Sequence, residues 1–318
     1  MGGILRTSST DGRNTMVRRI LCLLLLTGTG VSAASEVALL RSDDFDAYNQ
    51  TAEAVVAELG IPVAILDLEG DRERADEVIG RLRRDPPKVI IALGKKAAYA
   101  ANEGFREVPI LYAQVEDPER YGLTGFNISG VSQEVSMDEV LSYLRLFAPE
   151  VERIGMLIWQ KNQNQQVAEA IEAGKSAGYT VRALRVGHER DVPGAFQRLR
   201  REIDAFWLVP DHLVVTPENF RFLRDETQRL EMPLIAYTDA LVRAGALMGV
   251  GPDRDAIGRQ LAEMARSILQ GTPIEDLPIQ TPQSVRVVLN RDTQNAIGLD
   301  IDPAMLGFVD EVLQVEGR

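Results

Sequence analysis

"VALLRSDDFDAYNQTAEAVVAELGIPVAIL" (37–66) and "IGMLIWQKNQNQQVAEAIEAGKSAGYTVRAL" (154–184) follow one pattern. Each is an apolar run, a polar turn, an amphipathic stretch around "AEA", a glycine and a second apolar run. Val37 and Ile154 are 117 residues apart. "RLRRDPPKVIIALGKKA" (81–97) faces "RLRREIDAFWLVPDHLV" (198–214) at the same offset, and "VPILYAQVEDP" (108–118) faces "MPLIAYTDALV" (232–242) at nearly the same one. Any one such pairing is weak, but three in one order are much stronger. The order is β-α-β-α-β-α-β, twice. Strands alternating with helical patterns specify a parallel sheet with helices on both faces. Continuous apolar runs such as "VIIAL" (89–93) and "AFWLV" (205–209) suit strands buried on both sides.

The expected fold is therefore α/β, with two similar doubly wound parallel-sheet lobes and a ligand cleft between them. Stretches 122–148 and 245–271 extend the pairing, each a strand followed by a long helix. Val140, Leu141, Leu144 and Phe147 have core spacing in the first helix, as do Leu261, Met264, Ile268 and Leu269 in the second. A last strand, "SVRVVLN" (284–290), and a short helix around "DPAMLGFVDEVLQ" (302–314) close the chain.

Composition limits the function. The chain has 318 residues, 45% hydrophobic and 26% charged, enough for two domains with real cores. A net charge of −12 argues against a nucleic-acid partner. One Cys allows no disulfide framework, and two His far apart in sequence support no metal site. Near the start, Arg18 and Arg19 precede the apolar run "ILCLLLL" (20–26) and the small residues "VSAAS" (31–35). That is the pattern of a secretory signal peptide over residues 1–33, with cleavage after Ala33 and Met16 as a candidate start. The run is too short to span a bilayer. Cleavage removes four arginines, Asp11 and Cys22, leaving an exported, Cys-free chain of net charge −15.

In open α/β sheets ligands bind outside the carboxyl ends of the strands. The repeat pairs those loops: 41–44 with 159–162, 94–96 with 210–212, and 113–117 with 237–239. If the lobes face each other, all six line one cleft. The candidate ligand-binding residues are Ser42, Asp44, Tyr48, Gly94, Lys95, Gln114, Trp159, Gln160, Asp211, Tyr237 and Thr238. Trp159, at a strand end, suits an aromatic wall or lobe packing equally, whereas Trp207 is mid-strand core. His212 reads as an ordinary polar loop residue, His188 as part of a charged surface run, and Asp43–Asp44 and Glu116–Asp117 as ordinary acidic loops. Lys95 and Lys96 open a helix after Gly94, where the macrodipole disfavours cations by up to about 1 kcal/mol. The same helix end is a ready anion site. Lys95 thus reads either as an anion ligand or as solvated, and Lys96 as surface. No G-x-S-x-G elbow, P-loop or H-E-x-x-H occurs.

"FAPEVERIGMLIWQKNQN" (147–164) resembles the interlobe passage of ABC transporter substrate-binding proteins of the type I periplasmic-binding fold, in the group that includes tryptophan- and tyrosine-type amino-acid binders. "YTDALVRAGALMGVGPDRDAIGRQLAEMARSILQGTPIEDLPIQTP" (237–282), "VVLN" and "AIGLDI" resemble the C-terminal third of that group. "VIIALGKKAA", "PILYAQVEDPE" and "NISGVS" resemble its first lobe. The resemblance implies a monomeric periplasmic protein that delivers a small anionic or zwitterionic solute, such as an amino acid or related compound, to an inner-membrane ABC permease. It implies neither catalysis nor a cofactor. It divides the chain into a first lobe, 36–126 plus 252–283, and a second, 127–251 plus 284–318, with the helix at 257–268 returning to the first. An alternative is a sensor of the same fold acting through a membrane receptor. Relatives commonly carry a hydroxyl residue at the position of Lys95 and a Tyr-Asn-like pair at Trp159–Gln160.

Overall fold

A computed structural model describes residues 35–116, 118–160 and 164–314, with the side chains of 164–166 excepted. The expected signal peptide, Asp117, Asn162 and the last four residues lie outside them. The chain begins with β1 (Val37–Arg41), α1 (Asp46–Leu59), β2 (Val63–Asp67), α2 (Arg72–Arg84), β3 (Val89–Leu93), α3 (Lys95–Gly104), β4 (Ile110–Ala113) and β5 (Ile128–Gly130). These strands form a parallel sheet in the order β2-β1-β3-β4-β5. After α4 (Met137–Phe147) the pattern recurs as β6 (Arg153–Trp159), α5 (Asn164–Ser176), β7 (Thr180–Val186), α6 (Val192–Leu199), β8 (Ala205–Trp207), α7 (Pro217–Arg229), β9 (Leu234–Ala236), α8 (Asp239–Arg243) and β10 (Met248–Pro252). Then follow α9 (Arg254–Leu269), β11 (Val285–Asn290), α10 (Arg291–Ala296) and β12 (Glu311–Leu313). The second sheet runs β12-β11-β10-β9-β8-β6-β7, so β7-β6-β8-β9-β10 repeats the order of the first.

Two features depart from the sequence reading. Ile128–Gly130 pairs with β4 as the fifth strand of the first sheet, so the chain leaves that sheet after Val131 rather than at 126/127. The C-terminal stretch is a 3-10 turn, Pro303–Phe308, followed by a strand: Glu311–Leu313 pairs with β11. Three residues are too few to show a strand period.

Local chemistry explains the helix ends. Asp71 caps α2 by accepting the Arg74 N–H at 2.8 Å, and Arg81, Arg83 and Arg84 occupy its last turn, where cations suit the dipole. Thr216 caps α7 ahead of Pro217. Asp253 caps α9, accepting from Asp255 and Ala256.

The fifth-strand helices exchange lobes. Val140, Leu141, Leu144 and Phe147 of α4 are buried with Ile154, Met156 and Trp207 of the second sheet. Ile257, Leu261, Met264 and Ala265 of α9 are buried with Val37 and Leu39 of the first sheet and Val55 of α1. Between the sheets the chain makes three passages. Ser132 N–H donates to Gln280 O (2.8 Å), Gln280 N–H to Gly130 O (2.9 Å) and Asp253 N–H to Ser284 O (3.0 Å). Gln260 of α9, 1% exposed, joins them. Its Nε2 donates to Gln280 Oε1 (3.0 Å) and Thr281 O (2.9 Å), and its Oε1 accepts from Gln283 N–H (3.0 Å).

Helices α1 and α9 pack closely at Gly258. A β-carbon there would lie 2.7 Å from Thr51 O and 2.5 Å from Ala54 Cβ. Backbone cannot yield as a side chain can, so Gly258→Ala is expected to cost about 1–3 kcal/mol of overpacking, more than the ~1 kcal/mol gain in helix propensity. Thermal melting checks this. An unchanged melting temperature would mean that the two helices can part without loss.

Candidate functional site

The first lobe's loops are built around Ser42, which follows β1 and is buried. Its Oγ accepts the Ala97 N–H at 2.9 Å, occupying the third backbone donor of α3. Tyr48 of α1 hydrogen-bonds to Ser42, and burial, then the charges of Asp43 and Glu116, push its hydroxyl pKa up. Gly94, at φ 83°, turns the chain from β3 into α3. A β-carbon there would collide with Tyr48 and stand 2.7 Å from Ser42 Oγ, so both backbone and space require glycine. Gln114, after β4, also has positive φ (57°). Its Nε2 donates to Ala47 O at 2.9 Å, tying this loop to the start of α1, while its Oε1 is buried without a partner among the described residues. Such strain and such an open acceptor are features that cluster at functional sites.

The lysines separate. Lys96 Nζ donates to Gly70 O at 2.6 Å and so braces the loop after β2. Lys96 is exposed, as the sequence reading has it, and this hydrogen bond adds a bracing role. Lys95 is exposed, and among the described residues its ammonium has no hydrogen bond or ion pair. Asp44 is paired with Arg41 at 3.4 Å and accepts from Asn49 Nδ2 at 2.8 Å.

In the second lobe Asp211 is 3% exposed, and its carboxylate accepts from three backbone N–H groups: Trp159 (2.7 Å), Leu213 (3.0 Å) and Val214 (3.2 Å). It organises the loops after β6 and β8. Trp159 is half-buried, and the His212 ring meets it edge-on, with ring centroids 5.5 Å apart. Gln160 is exposed; its N–H donates to Val186 O and its O accepts from Arg185. Thr238 caps α8 through Leu241 N–H. Trp207 is core, as its sequence position implies.

Tyr237, after β9, feels charges from both lobes. Burial is the main cause that raises its hydroxyl pKa to about 12, followed by the charges of Glu116 and Asp211. Glu116 thus acts on Tyr48 from the first lobe and on Tyr237 from the second. It is exposed and has no hydrogen bond or ion pair among the described residues. Sequence reasoning passed over Glu116 as an ordinary acidic loop residue and His212 as an ordinary polar one. Their positions in the paired strand-end loops were the available signal.

This arrangement, two parallel-sheet lobes with paired strand-end loops, coincides with a match of residues 63–313 to the family model "ABC transporter substrate binding protein". The chain belongs to that family. The family binds small-molecule solutes and ABC permeases and is not an enzyme class. A protein of Clostridioides difficile (strain R20291) described as "Tyrosine-binding protein" is 25% identical over 247 residues, spanning 75% of this chain and 71% of that one. Two solved structures share the fold. The ligand-free, open form of a Clostridium difficile substrate-binding protein has TM-score 0.73 and 23% identity, covering 89% of this chain and 100% of that chain. An ABC domain of Streptococcus pneumonia in complex with L-Trp has TM-score 0.61 and 19% identity, covering 87% and 99%.

The Tyr237 environment gives a pH dependence. Its folded-state pKa is raised from the ordinary value near 10 to about 12. The stability it contributes is therefore whole below pH 10 and lost as pH rises to about 12. Unfolding free energies from denaturant titrations across that window are expected to fall in the native chain. In Tyr237→Phe the fall should be smaller by on the order of 1–2 kcal/mol. Identical profiles would mean that the phenol is not held in the protonated form.

Proposed function

We propose that this chain is the exported solute-binding component of an ABC uptake transporter. It takes a small zwitterionic solute, an amino acid or a related compound, between lobes that close on it. The observation that carries this reading is Glu116, whose charge reaches a tyrosine from each lobe. A carboxylate shared by both sets of loops suits a ligand ammonium. Lys95, on the adjacent β3 loop, suits a ligand carboxylate, with Gln114 Oε1 as a further acceptor for an N–H. Trp159, Tyr48 and Tyr237 would supply the apolar walls that pockets usually have around a few polar groups. The names of the relatives, which concern tyrosine and tryptophan, agree with this class.

Mass spectrometry of the compound released from freshly purified, denatured protein is the direct test, and a species with both amino and carboxylate groups is expected. Release of a neutral sugar would overturn the reading. With that compound, calorimetry should show Glu116→Gln and Lys95→Ala each weakening binding by about 1–3 kcal/mol, the range for a charge-assisted hydrogen bond. Lys96→Ala, which removes a brace outside the group, should change binding little. Normal affinity in both Glu116→Gln and Lys95→Ala would sink the zwitterion assignment.

A further inference from the structure

The chain has only two histidines, 24 residues apart, and the fold brings both to one cavity. It has a volume of about 420 Å³ and is lined by His188, Glu189, Arg190, His212 and Leu213, at the carboxyl end of the second sheet. All three charged or titratable groups of the 188–190 turn are exposed, as is His212. The size falls in the ordinary range for small-ligand pockets.

We propose that this cavity is a small-oxyanion site that fills as the two imidazoles protonate. With both imidazoles neutral, Arg190 and Glu189 cancel in formal charge. With both protonated the lining carries two positive charges, and every ring N–H is a donor. Histidine is the side chain that makes this change between pH 5 and 8. The neighbouring acids are already hydrogen-bonded. Asp191 turns its Oδ2 to the His188 backbone N–H at 3.0 Å, and the Asp211 carboxylate lies on the backbone of Trp159, Leu213 and Val214. From α7, Asn219 Nδ2 donates to Glu189 O (3.1 Å) and Leu213 O (3.4 Å), fixing the two sides of the cavity, and Glu218 pairs with Arg221 (3.0 Å). Arg185, at the end of β7, donates to Gln160 O (3.4 Å). The ligand chemistry is that of a sulfate, phosphate or carboxylate group. The proposal does not depend on which solute occupies the cleft.

Proton NMR of untagged protein tests this cleanly, because two histidines give two resolvable imidazole signals. Sodium sulfate, which does not titrate in this range, is added against sodium chloride at matched ionic strength. At pH 6 both imidazole signals should shift saturably with sulfate and not with chloride, and the apparent affinity should fall at least tenfold at pH 8. Trp159 fluorescence should follow the same curve, since His212 meets its ring. Arg190→Gln should weaken sulfate several-fold while leaving the melting temperature unchanged. Chloride reproducing the shifts, equal affinity at the two pH values, no response at pH 6, or full affinity in Arg190→Gln would each overturn the proposal.

Discussion

Three times the chain passes between its two sheets, and one buried amide holds the passages in register. Gln260 uses its donor and acceptor groups on the segment 280–283. That segment pairs with Gly130 and Ser132 of the first passage. Leaving a buried polar group unmatched costs about 1–3 kcal/mol, so this joint resists being pulled apart. The exchange of α4 and α9 follows from it: each helix starts at a passage and packs on the sheet that the chain has just entered. Asp239, directly after the Tyr237–Thr238 loop, pairs with Arg254 at 2.9 Å, and the Arg254 carbonyl accepts from Thr51 of α1. The second-lobe loop is thereby tied to the helix that carries Tyr48.

Within that frame the acidic groups near the strand ends have separate tasks. Asp44 is held by Arg41, Asp239 by Arg254, and Asp211 by backbone N–H groups. Glu116 and Lys95 have no such partner among the described residues. An exposed charge in water is tolerable. If the lobes close and expel water, it needs a partner, because a desolvated, unpaired charge costs several kcal/mol. A ligand bearing the complementary charges removes that cost, and a neutral ligand does not. Affinity and charge selection would then arise from one physical cause.

Much of the fold was legible because burial leaves a periodic trace. The runs 89–93 and 205–209, the core stripe of α4 and the buried Trp207 all follow from it. The site was less legible because it depends on which polar groups already have partners, and those partners lie far away in sequence. Ser42 meets Ala97 55 residues on, Asp211 meets Trp159 52 residues back, and Lys96 meets Gly70 26 residues back. No spacing rule marks such pairs. Lys96 and Lys95 are neighbours, yet one braces a loop and the other has no partner among the described residues. The short strand Glu311–Leu313 escaped for a different reason: it is an edge addition with no internal pattern.

The repeat makes a final comparison possible. At the offset of 117, Ser42 faces Trp159, Gly94 faces Asp211, Lys95 faces His212 and Ala97 faces Val214. Both lobes must join their first and third strand-end loops, and they do so with opposite polarity. In the first, the Ser42 side chain reaches across to the Ala97 N–H. In the second, the Asp211 side chain reaches back to the Trp159 N–H and also takes the Val214 N–H. A small hydroxyl serves the first joint, which leaves Gly94 bare and close to Tyr48. A carboxylate on the opposite loop serves the second, through the Trp159 backbone N–H. If these loops line the solute site proposed above, the same joint gives a polar, charge-bearing wall on one lobe and an aromatic one on the other. A solute with a charged end and an apolar end would meet that asymmetry in one orientation only.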